Sequence, residues 1–581
     1  MNMKNIFKLS AMMLAAAFVA GCSQNDELDV TPVENEGQLT IHATASDFVS
    51  SDATDTRIAN DGANTAFEAG DEIGVFAIRS TDNKLMYQNM PLEYLNAESG
   101  WTGNENKIYY YKNTAYVAYS PYDDKLNITD ATGIEDLQAK IETYFTEKLD
   151  AAGNDQSIAY PSLDLMMASA EPADIEGSND KSLSFNFKHR FALIEIAVPV
   201  KAYLDVTKNF TYAEPFSKTF TLNGSEPVNE IKLYPLSLQT SGEAGDTDAK
   251  AYNLFRFLVK PNIEYTLSGE LEYATPITLN DKIVNLPVGK YMKYTINATN
   301  AVSSYTKRDI AVGDYYYADG SIYPGTNDKI ITNGCVGIIF ATNNVSVNNG
   351  IEGSKTYTHG KVLALVNYHA DGEPATSGAS TSSYYNYWGT HTAGDDVITS
   401  ASNTEESYAS FSGRLDGYAK TTAFASSVDA VQKVLNFGKE INTKYVAPIS
   451  STGWYMPSIG ELIEVFNAFA VTSNGEGTYS LSASDFVNNI ANATNKSATL
   501  LNLRNKLVAA GGEFLQEFPK DPTNSSSPNH TDRWWSTTEV SNAKTWVIEL
   551  KTNGQVKVLE RDKTGNTDNT KHASIRPILA F

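Results

Sequence analysis

From residue 37 to about 300, apolar and polar positions alternate in short runs set apart by Gly, Asn and Asp. In QLTIHATAS (38–46), Leu39, Ile41 and Ala43 alternate with polar residues, which predicts a half-buried strand. KIYYYKN, AYVAYS, SLSFNFKH, FALIEIAVPV, NLFRFLVKP and YMKYTINA continue the pattern. The main helical pattern in this half covers 133–148. Strand spacing of this kind predicts two β-sandwiches in tandem, which we divide near residue 187 into 38–187 and 188–302.

Near residue 303 the pattern changes. Helical periodicity predicts helices over 426–442, from Ser458 onward, and over 497–512, where a Gly pair ends the run. The second begins with SIGE, a capping box in which Ser458 caps the backbone and Glu461 reaches back to it. Short strands surround these helices, among them VGIIFAT, GKVLALVNY, TWVIEL and QVKVLE. Residues 303–581 therefore read as an α+β domain.

Composition narrows the function classes. The chain has 581 residues, room for about two to four domains. A hydrophobic content of 41% with 33 Tyr and 38 Gly describes a folded, β-leaning protein. The net charge of -24 argues against a nucleic-acid partner, whose phosphates call for Lys and Arg. The two cysteines are Cys22 and Cys335. Cys22 falls in the export signal, so no disulfide framework remains, and Cys335 in the apolar run NGCVGIIFA reads as a small buried hydrophobe.

Residues 1–22 carry Lys4 and Lys8 ahead of an apolar stretch too short to span a bilayer. They end in Val19-Ala20-Gly21-Cys22, which resembles a bacterial lipobox. We read Cys22 as the lipidation site rather than as a chance Cys behind an ordinary signal peptide, because small residues and Cys coincide at the end of the apolar stretch. Residues 23–37 are acidic and lack aromatics, the composition of a disordered tether. An acidic stretch just after the Cys resembles the surface-export signal of Bacteroidetes lipoproteins, which implies the outer face of the outer membrane.

Arg57 stands in a polar loop between the first strand and IGVFAIR, and is the only Lys or Arg between Lys8 and Arg79. On its own it reads as a solvated loop residue. F-x-x-G-D-x-I-G-V-F (Phe67 to Phe76), IYYYKNTAYVAYSPY (Ile108 to Tyr122) and FNFKHRFALIEIAV (Phe185 to Val198) resemble the fimbrillin-type pilins of Bacteroidales over residues 37–300. That resemblance implies transthyretin-like sandwiches. It also implies a lipoprotein precursor cut by an Arg-specific protease after the first strand, for which Arg57 is the matching residue. The groove left behind would take a strand from a neighbouring subunit, because an open edge is costly until it is paired. His189, within this region, reads as structural rather than as a ligand.

In the last third, W-Y-M-P-S-I-G-E-L (Trp454, Pro457, Ser458, Glu461), W-W-S-T-T-E (Trp534, Trp535, Glu539) and R-P-I-L-A-F (Arg576) resemble a C-type-lectin-like module over about 310–581. It is similar to the C-terminal domain of the Legionella collagen-like adhesin. Trp454 is expected to anchor the core beside Trp534 or Trp535. Glu461 and Glu539 could form a paired-carboxylate site, but the capping box accounts for Glu461 without catalysis. The lectin calcium motifs EPN, QPD and WND are missing; EPA (373–375) replaces them poorly, and AGDD (393–396) offers only oxygen ligands. His359, His369 and His391 show no zinc spacing. With Cys335 as the single thiol beyond the signal, formylglycine-generating chemistry is unsupported, and no P-loop, GxSxG or GxGxxG occurs.

The polar insert 367–396 carries Tyr384, Tyr385, Tyr387 and Trp388 among Ser and Gly. That mixture suits a ligand-binding loop, and equally an aromatic cluster packing the loop onto its own domain. These features lead us to expect a non-enzymatic fimbrial subunit without cofactor or metal. Its last strand, RPILAF, reads as part of its own domain, so it accepts a strand without donating one, as a tip adhesin would. Its expected partners are other pilin subunits, the outer membrane through its lipid, and an extracellular glycan or protein. The alternatives are a monomeric surface lipoprotein that binds glycan or matrix protein, and a carbohydrate-active enzyme.

Overall fold

The computed structural model describes residues 37–51, 66–96, 100–102, 107–175, 181–223, 229–272, 277–296, 302–327, 330–368, 387–393, 397–398, 405–471, 493–514, 531–551, 556–564 and 573–581. The chain is mainly β in its first half and α+β beyond it. Among the described residues no helix is long and apolar enough to cross a membrane.

The first unit is built on an eight-stranded sheet. Its order runs Leu39–Ala45, Lys181–His189, Met166–Ala170, Thr114–Ser120, Glu72–Arg79, Leu85–Asn96 and Gly100–Thr102, with Ala173–Asp174 pairing beside Lys181–His189. The sheet curls until its ends approach, and Leu39 N donates to Ile108 O at 2.8 Å. Alternation sorts the central strands between two faces, as a two-residue period requires. Val75, Ala77, Tyr116 and Ala118 join Leu39, Ile41, Leu183 and Phe185 inside the curl. Phe76, Ile78, Val117 and Tyr119 face the helix Ile134–Ala152. That helix buries Leu137, Ile141, Phe145 and Leu149, an i, i+4 stripe that keeps one face on the sheet.

The second unit is a two-layer sandwich. A five-stranded sheet runs Tyr234–Ser241, Lys250–Val259, Ala192–Pro199, Lys290–Thr295 and Val49–Ser50, and a four-stranded sheet runs Asn229–Ile231, Ser217–Asn223, Glu264–Glu272 and Ile277–Asn285. Ile194, Ile196, Val198, Phe220, Leu267 and Leu271 fill the space between them. Every residue of Ala192–Pro199 is buried, because its other face packs on the first unit. Leu193, Leu258 and Tyr291 share a cluster with the Ile134–Ala152 helix.

In the C-terminal module a five-stranded sheet holds Ile322–Tyr323, Tyr315–Tyr317, Cys335–Ala341, Lys361–Ala364 and Ile578–Ala580. A second sheet of Thr531–Glu539, Lys544–Lys551 and Val556–Asp562 shares one core with it. Ile459–Ala468 and Ala493–Ala509 match the expected second and third helices. The helix expected over 426–442 covers only Asp429–Asn436. The chain turns at Gly438, which takes φ +77° and where a side chain would collide with the Tyr445 carbonyl. Two further helices, Glu405–Ser412 and Gly417–Phe424, have little amphipathic pattern to betray them in the sequence. Cys335 is buried, and burial pushes its thiol up to about 12, which leaves it inert at neutral pH.

The sandwich and the module are joined by specific contacts. The Asp205 carboxylate accepts from the backbone N–H groups of Lys208 and Ile310, at 2.9 and 3.1 Å. Arg308 grips Asp314 through two bonds of 2.8 and 2.7 Å. Phe210 stacks on His359 with centroids 4.1 Å apart, and Lys208 Nζ donates to Thr342 O.

Candidate functional site

The first strand is a parallel edge strand. Leu39–Ala45 pairs in register with Lys181–Phe187, and Leu39 and Ile41 are buried. Thr44 Oγ1 donates to Asn186 Oδ1 at 2.7 Å. The chain then crosses from one unit to the other. Ser46 N donates to Phe187 O at 2.9 Å, Val49 N to Gly289 O at 3.0 Å and Ser51 N to Tyr291 O at 2.9 Å. Between these bonds Phe48 is buried, its ring flat against His189 at 3.6 Å. His189 Nδ1 sits 2.8 Å from Asp164 Oδ1, so this His is held as a structural residue. One segment thus closes an edge of both sheets, and Arg57 follows it in the sequence.

Each buried Leu, Ile or Phe in such a segment contributes about 1.5–3 kcal/mol relative to exposure. It is an edge strand, paired along its length with Lys181–Phe187 and bonded on its other side near its start, where Leu39 N meets Ile108 O. Cys22, Arg57, Tyr384, Tyr385, His369, Asp395 and Asp396 lie outside the described residues.

In the C-terminal module the capping box is present. Ser458 Oγ accepts from Glu461 N at 3.5 Å and Glu461 Oε2 accepts from Ser458 N at 3.0 Å. Thr538 Oγ1 takes the next orphan N–H, that of Ile459, at 3.0 Å. Pro457 O accepts from Thr537 N at 2.9 Å, tying the helix entry to the Thr531–Glu539 strand. The fully buried Glu461 also accepts from Tyr455 OH at 3.0 Å and faces Lys361 Nζ at 3.3 Å. Burial works against the Lys361 charge, but Glu461 and Glu464 outweigh it and raise the amine's pKa. Gly417 packs so closely on the Glu461 carboxylate that any side chain there would collide with it.

Glu539 is held in a similar way. It is buried against Lys563 Nζ, and His391 Nδ1 lies 3.0 Å away. Each of the two carboxylates thus has its own buried lysine, and together they frame the fold.

Arg576, fully buried, donates to Leu365 O and Glu513 O at 3.0 Å each and lies over the Trp534 ring at 5.4 Å. Burial pulls its pKa down to about 10, opposed by Glu513 and Asp532. Trp534 donates through Nε1 to Asp532 at 3.0 Å and packs on Phe466. Trp535 is fully buried, and its backbone N–H donates to Ser574 O at 3.0 Å. Trp454 belongs to the same core, where it packs edge-on against Phe437 at 5.4 Å and donates to Tyr445 O at 2.7 Å.

Of the aromatic loop, the described residues are Tyr387 and Trp388. Trp388 corrects the binding expectation. It is fully buried, donates through Nε1 to Ser536 O at 2.8 Å and lies under Lys563 Nζ at 4.7 Å. It therefore anchors its loop to the module and presents no surface to a ligand. Tyr387 is 38% exposed. Beside the anchor a polar cleft of about 330 Å³ is lined by Thr390, His391, Thr392, Asn542, Lys563 and Thr564. It offers hydroxyls, an amide, an imidazole and an ammonium, a donor and acceptor set suited to a polyhydroxylated or peptide ligand. The signal in the chain is weak here: His391 and Lys563 stand far apart in sequence and meet through Glu539 and through a bond from Lys563 Nζ to His391 O at 3.4 Å.

The fold is thus a pair of β units, with the first strand at the edge of its sheet, followed by an α+β module. Residues 56–312 match the family described as fimbrillin-like. A Bacteroides ovatus protein named as a candidate fimbrium tip subunit, Fim1C, is 25% identical over 530 residues, covering 86% of this chain and 94% of that protein. The crystal structure of a fimbrial protein from Bacteroides ovatus is similar over 94% of this chain and 99% of its own, at 20% identity and a TM-score of 0.44. That of a candidate cell adhesion protein from Bacteroides uniformis covers 46% of this chain and 96% of its own, at 17% identity and a TM-score of 0.26.

Proposed function

We propose that this protein is a surface fimbrial subunit of the tip type, made as a lipoprotein anchored through Cys22 and freed for assembly by cleavage at Arg57. The observation that carries the reading is the 39–51 segment, which closes an edge of both sheets and is followed in the sequence by Arg57. Cutting after Arg57 would turn this segment into a separate peptide. Its loss opens backbone donors and acceptors of Lys181–His189 and Lys290–Tyr291, together with the apolar sites of Leu39, Ile41 and Phe48. A strand from a neighbouring subunit satisfies the same bonds. The strand Ile578–Ala580 pairs with Lys361–Ala364 and is wholly buried, so these residues serve their own fold and are not a donor strand. The Bacteroides ovatus relative, named as a candidate fimbrium tip subunit, supports a tip position.

We read the C-terminal module as lectin-like in fold and as the adhesive end, with the polar cleft beside His391 as the contact site for an extracellular glycan or protein. The partners are then other pilin subunits and that ligand, and the location is the cell surface. The test treats the full-length protein with an Arg-specific protease. A single early cut after Arg57, release of the 39–51 segment and uptake of a synthetic donor-strand peptide are expected. No cut at Arg57, or a cut without strand exchange, would leave a monomeric surface lipoprotein as the better description.

A further inference from the structure

A second cleft, of about 470 Å³, opens where the sandwich meets the C-terminal module. One side is formed by Thr211, Lys218, Asn253 and Phe255, and the other by Asp319 and Ser321 of the turn that follows Tyr315–Tyr317. Its volume lies within the range of small-molecule sites, about 300–1,000 Å³, and exceeds the need of a lone ion.

Lys218 is the unusual member. Its ammonium lies 4.1 Å from the centroid of Phe255 and 4.7 Å from that of Phe216. Among the described residues no carboxylate lies within ion-pair distance of it. Burial lowers its pKa, and the field of Asp319 only partly opposes this. The carboxylate that does line the cleft, Asp319, is committed to Ser321, accepting from its N–H at 3.0 Å and its hydroxyl at 2.5 Å. In a chain of net charge -24, where buried Lys361 and Lys563 are each held against a glutamate, the half-buried Lys218 has no carboxylate counter-ion among the described residues. A cation partly withdrawn from water without a carboxylate partner carries a cost that an external anion would offset.

The remaining groups narrow that anion. Thr211, Asn253 and Ser321 supply hydroxyl and amide partners for a polyhydroxylated molecule. Asp319 on the opposite side repels a second negative charge, which favours a single carboxylate over a dianionic phosphate. We propose that this junction cleft binds a carboxylated monosaccharide, its carboxylate on Lys218 and its hydroxyls on Thr211, Asn253 and Ser321. The ligand touches both units, so its binding also stiffens the joint between them.

The test is calorimetric titration of the uncut full-length protein with glucuronic acid and N-acetylneuraminic acid, each beside its methyl ester. At least one acid is expected to bind about tenfold or more tighter than its ester, equivalent to about 1.4 kcal/mol. Lys218→Met, checked for an unchanged melting temperature, should erase that preference, and Asp319→Asn should strengthen it. Lys218→Gln serves if the Met variant melts early. Absence of binding, equal affinity for acid and ester, or unchanged acid binding in a folded Lys218 variant would overturn the proposal; the last would place the sugar in another site, such as the cleft beside His391.

Discussion

Phe48 lies flat against His189, their ring centroids 3.6 Å apart, and this stack lies where the N-terminal segment crosses from the first sheet to the second. His189 is fixed from behind by Asp164, so it gives Phe48 a rigid seat. Truncating Phe48 to Ala removes a buried aromatic and should weaken retention of the segment by about 3–5 kcal/mol. After a cut at Arg57, the Phe48→Ala protein should release its N-terminal peptide faster than the parent, as followed by mass spectrometry of the free peptide. Equal release rates would show that the strand pairing, not the stack, holds the segment.

The buried pair Glu539 and Lys563 predicts an asymmetric mutational response. Lys563→Met leaves the Glu539 carboxylate buried beside His391 without its cation, and should cost about 3–5 kcal/mol. Lys563→Met combined with Glu539→Gln should recover much of that loss, because no unpaired charge remains. Urea unfolding of the two variants measures both. The same experiment bears on catalysis: loss of stability on changing Glu461 or Glu539 marks a framework role.

Trp388 and its neighbour Tyr387 should separate cleanly. Trp388→Ala empties a fully buried site and removes a donor to the Ser536 carbonyl, with an expected cost of about 3–5 kcal/mol. Tyr387→Ala changes a half-open side chain, and its effect on stability should stay near about 0.5 kcal/mol. A surface-binding screen with the Tyr387 variant then reports on adhesion, because the fold is retained.

His359 gives the joint a pH dependence. Burial, with Lys208 adding to it, holds its pKa below the ordinary value, while Asp205 opposes the shift and Lys355 reinforces it. A depressed folded pKa means that the stabilisation is present above the unfolded value of about 6.5 and is lost as the pH falls through the folded value. The melting transition involving the C-terminal module should therefore drop between neutral pH and about pH 5 more in the parent than in His359→Phe. The Phe keeps a ring against Phe210, and Nδ1 of His359 makes no hydrogen bond that would be lost. An identical pH profile in the variant would assign the dependence to other groups.

Local pattern determined much of this protein by itself. The alternation of Leu39 and Ile41 marks the first strand, the Ser458–Glu461 spacing marks the start of a helix, and the apolar setting of Cys335 marks a buried thiol. These features depend on neighbours within a few residues, and the sequence displays such neighbours directly. Tertiary structure alone decided the rest. It turned Trp388 inward onto Ser536, 148 residues away, and gave Glu461 and Glu539 lysines from other elements. It set Trp454 against Phe437 and Trp534 against Phe466 within one core, carried the 46–51 stretch across to a second sheet, and set Lys218 over two rings with no carboxylate in ion-pair reach among the described residues. Which groups meet in these places follows from how distant strands stack and how their burial is compensated, and no periodicity in the chain encodes that.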